Sequence, residues 1–138
     1  MAGYMTKLQG YVYEGELVNG ASDPVQNGIL MVQNGDGLEL PSAESTSKFI
    51  CKEVTTIYDG VVAYRFIVDK LNKRYYFVEN GADINDSAAY DKRTYTTAVG
   101  DLLRAHPLIV GEEFVTNMVS GTPVAGTAYG VTADGSIG

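Results

Sequence analysis

Few residues of this chain combine a suitable side chain with a suitable neighbourhood for catalysis or metal binding. His106 is the only histidine and Cys51 the only cysteine. A nucleophilic triad would need His106 as its general base, and a zinc site of His and Cys ligands is nearly excluded. His106 directly precedes Pro107 with no motif around it, which favours a structural role. Cys51 alternates with Phe49 in a predicted strand, where a buried cysteine acts as a small hydrophobic residue.

Acidic residues suggest a calcium loop and paired carboxylates. Asp83, Asn85 and Asp86 carry oxygen ligands at calcium-like spacing, but their segment lacks the glycine and the distal glutamate of an EF-hand loop. The carboxylates that could work in pairs are Glu112, Glu113, Asp101 and Asp91. Nothing in the sequence places two of them about 5–9 Å apart, as glycoside hydrolysis requires. We interpret both groups as surface carboxylates and predict no catalytic residue, cofactor or metal site.

An aromatic and basic segment, 70–77, has the residue types of a platform for single-stranded nucleic acid. It contains Lys70, Lys73, Arg74, Tyr75, Tyr76 and Phe77. The formal net charge is −7, with 10 Lys and Arg against 17 Asp and Glu, whereas nucleic-acid binding depends on clustered basic residues. Nucleic acid and an anionic membrane surface are therefore not expected as partners. Alternation places Tyr75 and Phe77 on one face of a half-buried strand instead.

The sequence predicts a soluble protein made in the cytoplasm. Residues 1–10 contain no apolar segment of a secretory signal, and no apolar stretch approaches the ~20 residues of a membrane helix. The single cysteine excludes an internal disulfide framework.

Asn-Gly and Asp-Gly pairs divide the chain into short predicted β-strands, and these strands would position the candidate residues. The Asn-Gly and Asp-Gly pairs, which centre tight hairpins, are Asn19-Gly20, Asn27-Gly28, Asn34-Gly35, Asp36-Gly37, Asp59-Gly60, Asn80-Gly81 and Asp134-Gly135. The clearest hairpin joins 49–58 to 61–68, and the run 74–79 would add the third strand of an antiparallel meander. A second hairpin joins 28–33 to 38–40 and ends at Pro41.

The other segments give weaker signals. Strands are predicted over 8–18 and 94–99, a polar loop over 41–48, and an acidic loop over 80–92 with one helical turn near 87–91. Residues 100–106 predict a strand or a short helix ended by Pro107, and 108–110 would pair with 113–119 across Gly111-Glu112.

Many short strands joined by tight turns favour a mainly β fold. We predict a single β domain over residues 1–138, a small β-barrel or sandwich of short antiparallel strands with at most one or two short helices. A chain of this length can bury an independent core. Residues 1–8 and 121–138 could form extended arms, and 121–138 could alternatively form a final hairpin.

Two stretches resemble the small head proteins of tailed phages. They are 99–108 (VGDLLRAHPL) followed by 110–116 (VGEEFVT), and the opening 10–16 (GYVYEGE). In such proteins a compact β domain decorates or cements the outside of an icosahedral capsid. The resemblance covers roughly half of the chain and includes no diagnostic motif, so it assigns no binding residue.

This resemblance implies a non-enzymatic virion structural protein, made in the host cytoplasm, that decorates or stabilises the capsid. Its partners would be the major capsid protein and further copies of itself, since a repeated shell supplies avidity. Two alternatives stay open. One is a phage tail tube or connector ring subunit. The other is a stand-alone β-barrel binding module for carbohydrate or calcium, suggested by Asp83, Asn85 and Asp86 and by the ten tyrosines.

Overall fold

The computed structural model describes residues 17–57, 61–79 and 96–138, and this part of the chain contains strands and turns but no helix. The strands are β1 (Leu17–Asn19), β2 (Val25–Gln26), β3 (Leu30–Asn34), β4 (Gly37–Glu39), β5 (Glu44–Ile57), β6 (Val61–Lys70), β7 (Tyr76–Val78), β8 (Thr96–Thr97), β9 (Leu102–Leu103), β10 (Ala105–Pro107), β11 (Glu113–Thr116) and β12 (Ala128–Val131). The predicted mainly β class is confirmed.

The described strands form three sheets. The largest has the strand order β10-β7-β3-β4-β1-β9, the second has the order β11-β6-β5-β12, and β2 pairs with β8. The arrangement is consistent with a small β-barrel or sandwich, as predicted. One pair, β1 with β4, runs parallel, which the turn pattern did not indicate.

Both predicted hairpins are present. β3 pairs with β4 up to Asn34 opposite Gly37, and Gly35 in the turn has φ +63°, a backbone conformation that favours glycine. β5 pairs with β6 from Lys48 opposite Lys70 to Ile57 opposite Val61. The Asp59-Gly60 turn of this hairpin lies outside the described residues.

The prediction that 74–79 extends the β5–β6 hairpin into a three-stranded meander is wrong. β7 instead lies in the six-stranded sheet, between β10 and β3. Tyr75 and Phe77 share a face, as alternation predicts, but Tyr76 and Val78 on the opposite face are also buried. The strand is therefore buried on both faces rather than one, and it requires a packing layer on each side.

Two hydrophobic cores lie on opposite faces of β3 and β7. The first core contains Leu30, Phe49, Cys51, Phe66, Val68, Tyr75, Phe77, Leu108, Phe114, Val131 and Ile137. The second contains Ala21, Val25, Ile29, Met31, Leu38, Tyr76, Val78, Leu103 and Ala105. In the first core the Phe114 ring centroid lies 4.9 Å from that of Phe77, 5.8 Å from Phe66 and 6.0 Å from Phe49. These aromatic contacts hold the four-stranded sheet against β7.

Two further predictions are wrong because a partner distant in sequence determines the local structure. Residues 44–48, predicted as loop, begin strand β5, where Val131 of β12 pairs with Glu44. Residues 108–110 do not pair with 113–119. Strand β11 pairs with β6 instead, and the Gly111 N–H donates to the carbonyl oxygen of Val68 at 2.8 Å.

The last two described segments, 100–107 and 121–138, are made of short strands and turns. Residues 100–106 contain strands β9 and β10 rather than a helix, and Pro107 is the last residue of β10, an edge strand that tolerates proline. Within 121–138, β12 pairs with β5 of the same chain and Ile137 is 1% exposed. Residues 1–16 and 80–95, which include the possible arm 1–8 and the predicted helical turn near 87–91, lie outside the described part.

Candidate functional site

A densely hydrogen-bonded polar group surrounds Glu44, at the start of β5. Its carboxylate accepts hydrogen bonds from the Tyr75 hydroxyl at 2.5 Å, the Ser47 hydroxyl at 2.7 Å, and the Ser47 and Thr46 N–H groups at 2.8 Å each. The Ser47 hydroxyl oxygen in turn accepts from the N–H of Asn72 at 2.8 Å. This group therefore joins the start of β5 to the segment between β6 and β7.

The charges of this group follow from burial and hydrogen bonding. Burial alone would raise the pKa of Glu44, but the hydrogen bonds from Tyr75, Ser47 and Thr46 outweigh it and lower the pKa to about 2. Burial, and then the neighbouring Glu44 carboxylate, raise the pKa of Tyr75 above its usual range. Around neutral pH the carboxylate therefore stays ionised and the phenol stays neutral, which suits the pair to fastening two segments and not to proton transfer.

The two residues that prompted a search for nucleophilic catalysis are both buried. His106 is 0% exposed in β10, and its Nε2 lies 3.1 Å from Oε1 of Glu79. Cys51 is also 0% exposed, packs with Phe49 in the first core as predicted, and has a thiol whose pKa is raised by burial. They lie in different sheets, in β10 and β5.

The described acidic candidates make structural contacts. Oε1 of Glu112 accepts from the Ile109 N–H at 2.9 Å, and Oε1 of Glu113 lies 2.7 Å from Nη1 of Arg65. Asp101 is exposed. Asp83, Asn85, Asp86 and Asp91 lie outside the described residues, and within those residues no cluster of three His, Cys, Asp or Glu could hold a metal ion.

The aromatic residues of the 70–77 segment face the protein interior. Tyr75, Tyr76 and Phe77 are each 1% exposed or less. The Arg74 guanidinium lies 5.6 Å from the ring centroid of Tyr76. Base stacking needs exposed aromatic faces, and these three rings offer none.

An open groove of about 700 Å³ lies beside β2 and the end of β4. Its lining is Gly20, Ala21, Ser22, Asp23, Pro24, Val25, Gln26, Ile29, Glu39, Leu40, Thr96, Met118 and Asp134. Three of these side chains are carboxylates, and no basic side chain of the described residues lines the groove. The Asp134 carboxylate accepts hydrogen bonds from Thr132 and Ser136, which lower its pKa. The groove is thus negatively charged with an apolar floor.

Three turns display apolar side chains on a fixed backbone, and we call them the aliphatic turns: 98–101, 109–112 and 124–127. Each is closed by a hydrogen bond of 3.1 Å from its fourth N–H to its first carbonyl. Each has a positive-φ glycine in third place, at +87°, +97° and +90°, as a type II turn requires. Their exposed apolar residues are Val99, Ile109, Val110 and Val124, which are 50–60% exposed.

The 109–112 turn is tied to a neighbouring strand by a pair of backbone hydrogen bonds, as the other two turns are. Besides the Glu112 carboxylate, the Glu112 carbonyl accepts from the Val68 N–H at 2.9 Å and the Gly111 N–H donates back to Val68. It also carries two adjacent exposed aliphatic side chains, Ile109 at 55% and Val110 at 59%. The sequence predicted a turn at Gly111-Glu112, but the search for Asn-Gly and Asp-Gly pairs did not indicate the turns at 98–101 and 124–127. The signal was an aliphatic residue before glycine, as in Val99-Gly100 and Val110-Gly111.

The fold and these surfaces define a mainly β protein with two cores, one acidic groove and three aliphatic turns in its described part. Comparison with protein-family models, curated proteins and solved structures finds no match to this chain. In the described residues no helix is long and apolar enough to cross a membrane.

Proposed function

We propose that this chain is a non-enzymatic virion structural protein that binds the outside of a phage capsid and stabilises or decorates it. Its partner would be the major capsid protein, and the bound form would be a homo-oligomer matching the symmetry of the shell. The observation that carries the proposal is the 109–112 turn, where Ile109 and Val110 are presented to solvent on a backbone fixed to β6.

A turn of this kind is suited to docking on another protein. Its backbone is held by hydrogen bonds before binding, so association loses little backbone conformational entropy. Two adjacent aliphatic residues can fill one apolar depression, the arrangement in which a few contacts dominate an interface. On a capsid the same depression recurs many times, and weak contacts of an oligomer add through avidity.

A substitution at the turn tip tests the proposal. Burying a whole valine side chain is worth about 1.5–3 kcal/mol, and Val110 is 59% exposed. Burying the exposed part is then worth about 1–2 kcal/mol, which corresponds to a roughly 5- to 30-fold change in dissociation constant. We therefore expect Val110→Ser to weaken binding to phage capsids that lack this protein by that factor, in a co-sedimentation titration.

Val99→Ser is the matched control, because Val99 is 50% exposed on a turn of the same geometry next to β1 instead of β6. Selective weakening by Val110→Ser supports docking through the 109–112 turn. Equal binding by both variants and the wild type would reject this turn as the contact. Failure of the wild-type chain to bind any candidate capsid would reject the decoration proposal, and rings or tubes formed by the pure chain would favour the tail alternative.

The acidic groove favours a second candidate function, a binding module for carbohydrate. Carboxylates accept hydrogen bonds from sugar hydroxyl groups, and apolar side chains such as Leu40 and Met118 can contact the sugar faces. Calorimetry with a glycan panel tests it: heat that is lost in Asp23→Asn supports the module, and no heat with any glycan rejects it.

A further inference from the structure

We infer that Asn34 is a site of spontaneous deamidation in the folded protein, and that the neighbouring structure protects two other Asn-Gly pairs. The described part of the chain includes Asn19-Gly20, Asn27-Gly28 and Asn34-Gly35. All three have the same local sequence chemistry, so the structure alone separates them.

The reaction is intramolecular and needs only water. The backbone nitrogen of the glycine attacks Cγ of the asparagine side chain, the new N–Cγ bond closes a five-membered succinimide, and the C–Nδ2 bond breaks to release ammonia. Water then opens either ring carbonyl, giving aspartate or isoaspartate. Glycine favours the attack because it has no Cβ to crowd its nitrogen. The reaction also requires Cγ and the nitrogen to move together, so packing and hydrogen bonds at either atom oppose it.

At Asn19 and Asn27 the asparagine side chain is buried and the glycine nitrogen that would attack it is hydrogen-bonded. Asn19 is 1% exposed, its Nδ2 donates to the carbonyl oxygen of Thr97 at 3.0 Å, and its Oδ1 accepts from the Ala21 N–H at 2.9 Å. The attacking nitrogen of Gly20 donates to the carbonyl oxygen of Leu38 at 2.8 Å. Asn27 is also 1% exposed, and the nitrogen of Gly28 donates to the carbonyl oxygen of Val78 at 2.9 Å.

Asn34 differs at each of these points. It is exposed at the end of β3, and the ladder ends at its pairing with Gly37, so Gly35 lies in the turn and not in the sheet. Apart from its two chain neighbours, no atom lies within 4 Å of the place where a Cβ on Gly35 would stand, so the backbone beside the attacking nitrogen is uncrowded. The side chain makes one exposed hydrogen bond, from Nδ2 to Oε2 of Glu39 at 3.0 Å.

That hydrogen bond gives the modification a consequence. Deamidation replaces the donor NH2 with a carboxylate next to Glu39, so attraction becomes repulsion between like charges. Glu39 lines the acidic groove, so the reaction adds negative charge beside it. The isoaspartate product also inserts a methylene into the backbone next to the turn, where Asn34 pairs with Gly37.

The test is to incubate the full chain, folded and in urea, in mildly alkaline buffer and to map deamidation by mass spectrometry over time. In the folded protein we expect Asn34 to react at least about tenfold faster than Asn19 and Asn27, the ratio that a local opening free energy of roughly 1.4 kcal/mol imposes on the buried pairs. In urea the three rates should converge. Comparable rates at the three sites in the folded protein, or a tenfold acceleration at Asn34 on unfolding, would overturn the inference.

A pair of variants tests the consequence separately. Asn34→Asp mimics one product and should lower the urea midpoint of unfolding, and adding Glu39→Gln should restore it, because the repulsion needs both carboxylates. An unchanged midpoint in Asn34→Asp would show that Glu39 does not respond to the new charge.

Discussion

Tyr75→Phe should destabilise the protein in a pH-dependent way. The substitution removes only the hydroxyl group, which donates to the Glu44 carboxylate at 2.5 Å, and leaves the ring in the first core. A hydrogen bond to a charged group contributes about 1.5–3 kcal/mol to stability. We expect a loss of that size in the free energy of unfolding near pH 7.

The loss should shrink in acid. The pKa of Glu44 in the folded protein is about 2, below its ordinary value of 4.5. Its contribution is therefore present above pH 4.5 and is lost as the pH falls towards 2. Without the Tyr75 donor the folded pKa of Glu44 moves up, and protonation removes at higher pH what remains of its contribution. The wild type and Tyr75→Phe should converge in stability as Glu44 becomes protonated in both. In alkali the wild type again loses more stability than the variant, because the raised pKa of Tyr75 means that its ionisation destabilises the folded wild type and the variant lacks this group.

Urea unfolding at a series of pH values measures this difference directly. Tyr64→Phe is the control, since Tyr64 packs half-buried against the same core and should show a small change without this pH dependence. A Tyr75→Phe loss that stays constant from pH 7 to the acid limit would refute the coupling between Tyr75 and Glu44. Glu44→Gln should also abolish the pH dependence, because the titrating group is gone.

Two further substitutions test close packing and the 109–112 turn. Gly130→Ala should cost about 1–3 kcal/mol in unfolding free energy, because a Cβ there would collide with the backbone carbonyl oxygen of Glu44 where β12 pairs with β5. Thermal unfolding measures this loss, and Ala128→Ser on the exposed part of the same strand is the control. An unchanged midpoint in Gly130→Ala would contradict the close approach. Glu112→Ala should lower the free energy of unfolding by about 1–3 kcal/mol, because it removes the acceptor of the Ile109 N–H. Glu112→Gln keeps an acceptor oxygen and should lose less stability in urea unfolding. Equal losses in the two variants would show that the hydrogen bond is not the cause.

Local sequence predicted the fold class and the hairpins that close on themselves. The pair Asn34-Gly35 and the β-rich run before it specify a turn without help from distant residues, and the structure has that turn. The same is true of the β5–β6 pairing, whose strands are rich in branched and aromatic residues. Such elements are fixed by backbone preferences that operate over a few residues.

The errors have a common physical origin in partners that lie far along the chain. The run 75–78 (YYFV) has no charged residue on either face, a sign of burial between two layers. Proximity in sequence nevertheless predicts β6 as its partner, whereas the structure pairs it with β3 and β10. The polar segment 44–48 becomes strand because β12 pairs with it. The candidate surfaces were predicted least well. The groove combines segments from separate parts of the chain. The aliphatic turns are local, but the exposure of their valine side chains is not visible in the neighbouring sequence.

The double-sided burial of β3 and β7 has a consequence for how the molecule loses its structure. Leu30 and Phe77 belong to the first core, and Met31 and Tyr76, their immediate neighbours in the chain, belong to the second. Neither core can separate from these strands without exposing one face of both, so the two apolar layers share one cooperative unit. The amide hydrogens of β3 and β7 should exchange with solvent only through global unfolding. A substitution that destabilises one core should lower the free energy of unfolding of the other core by the same amount.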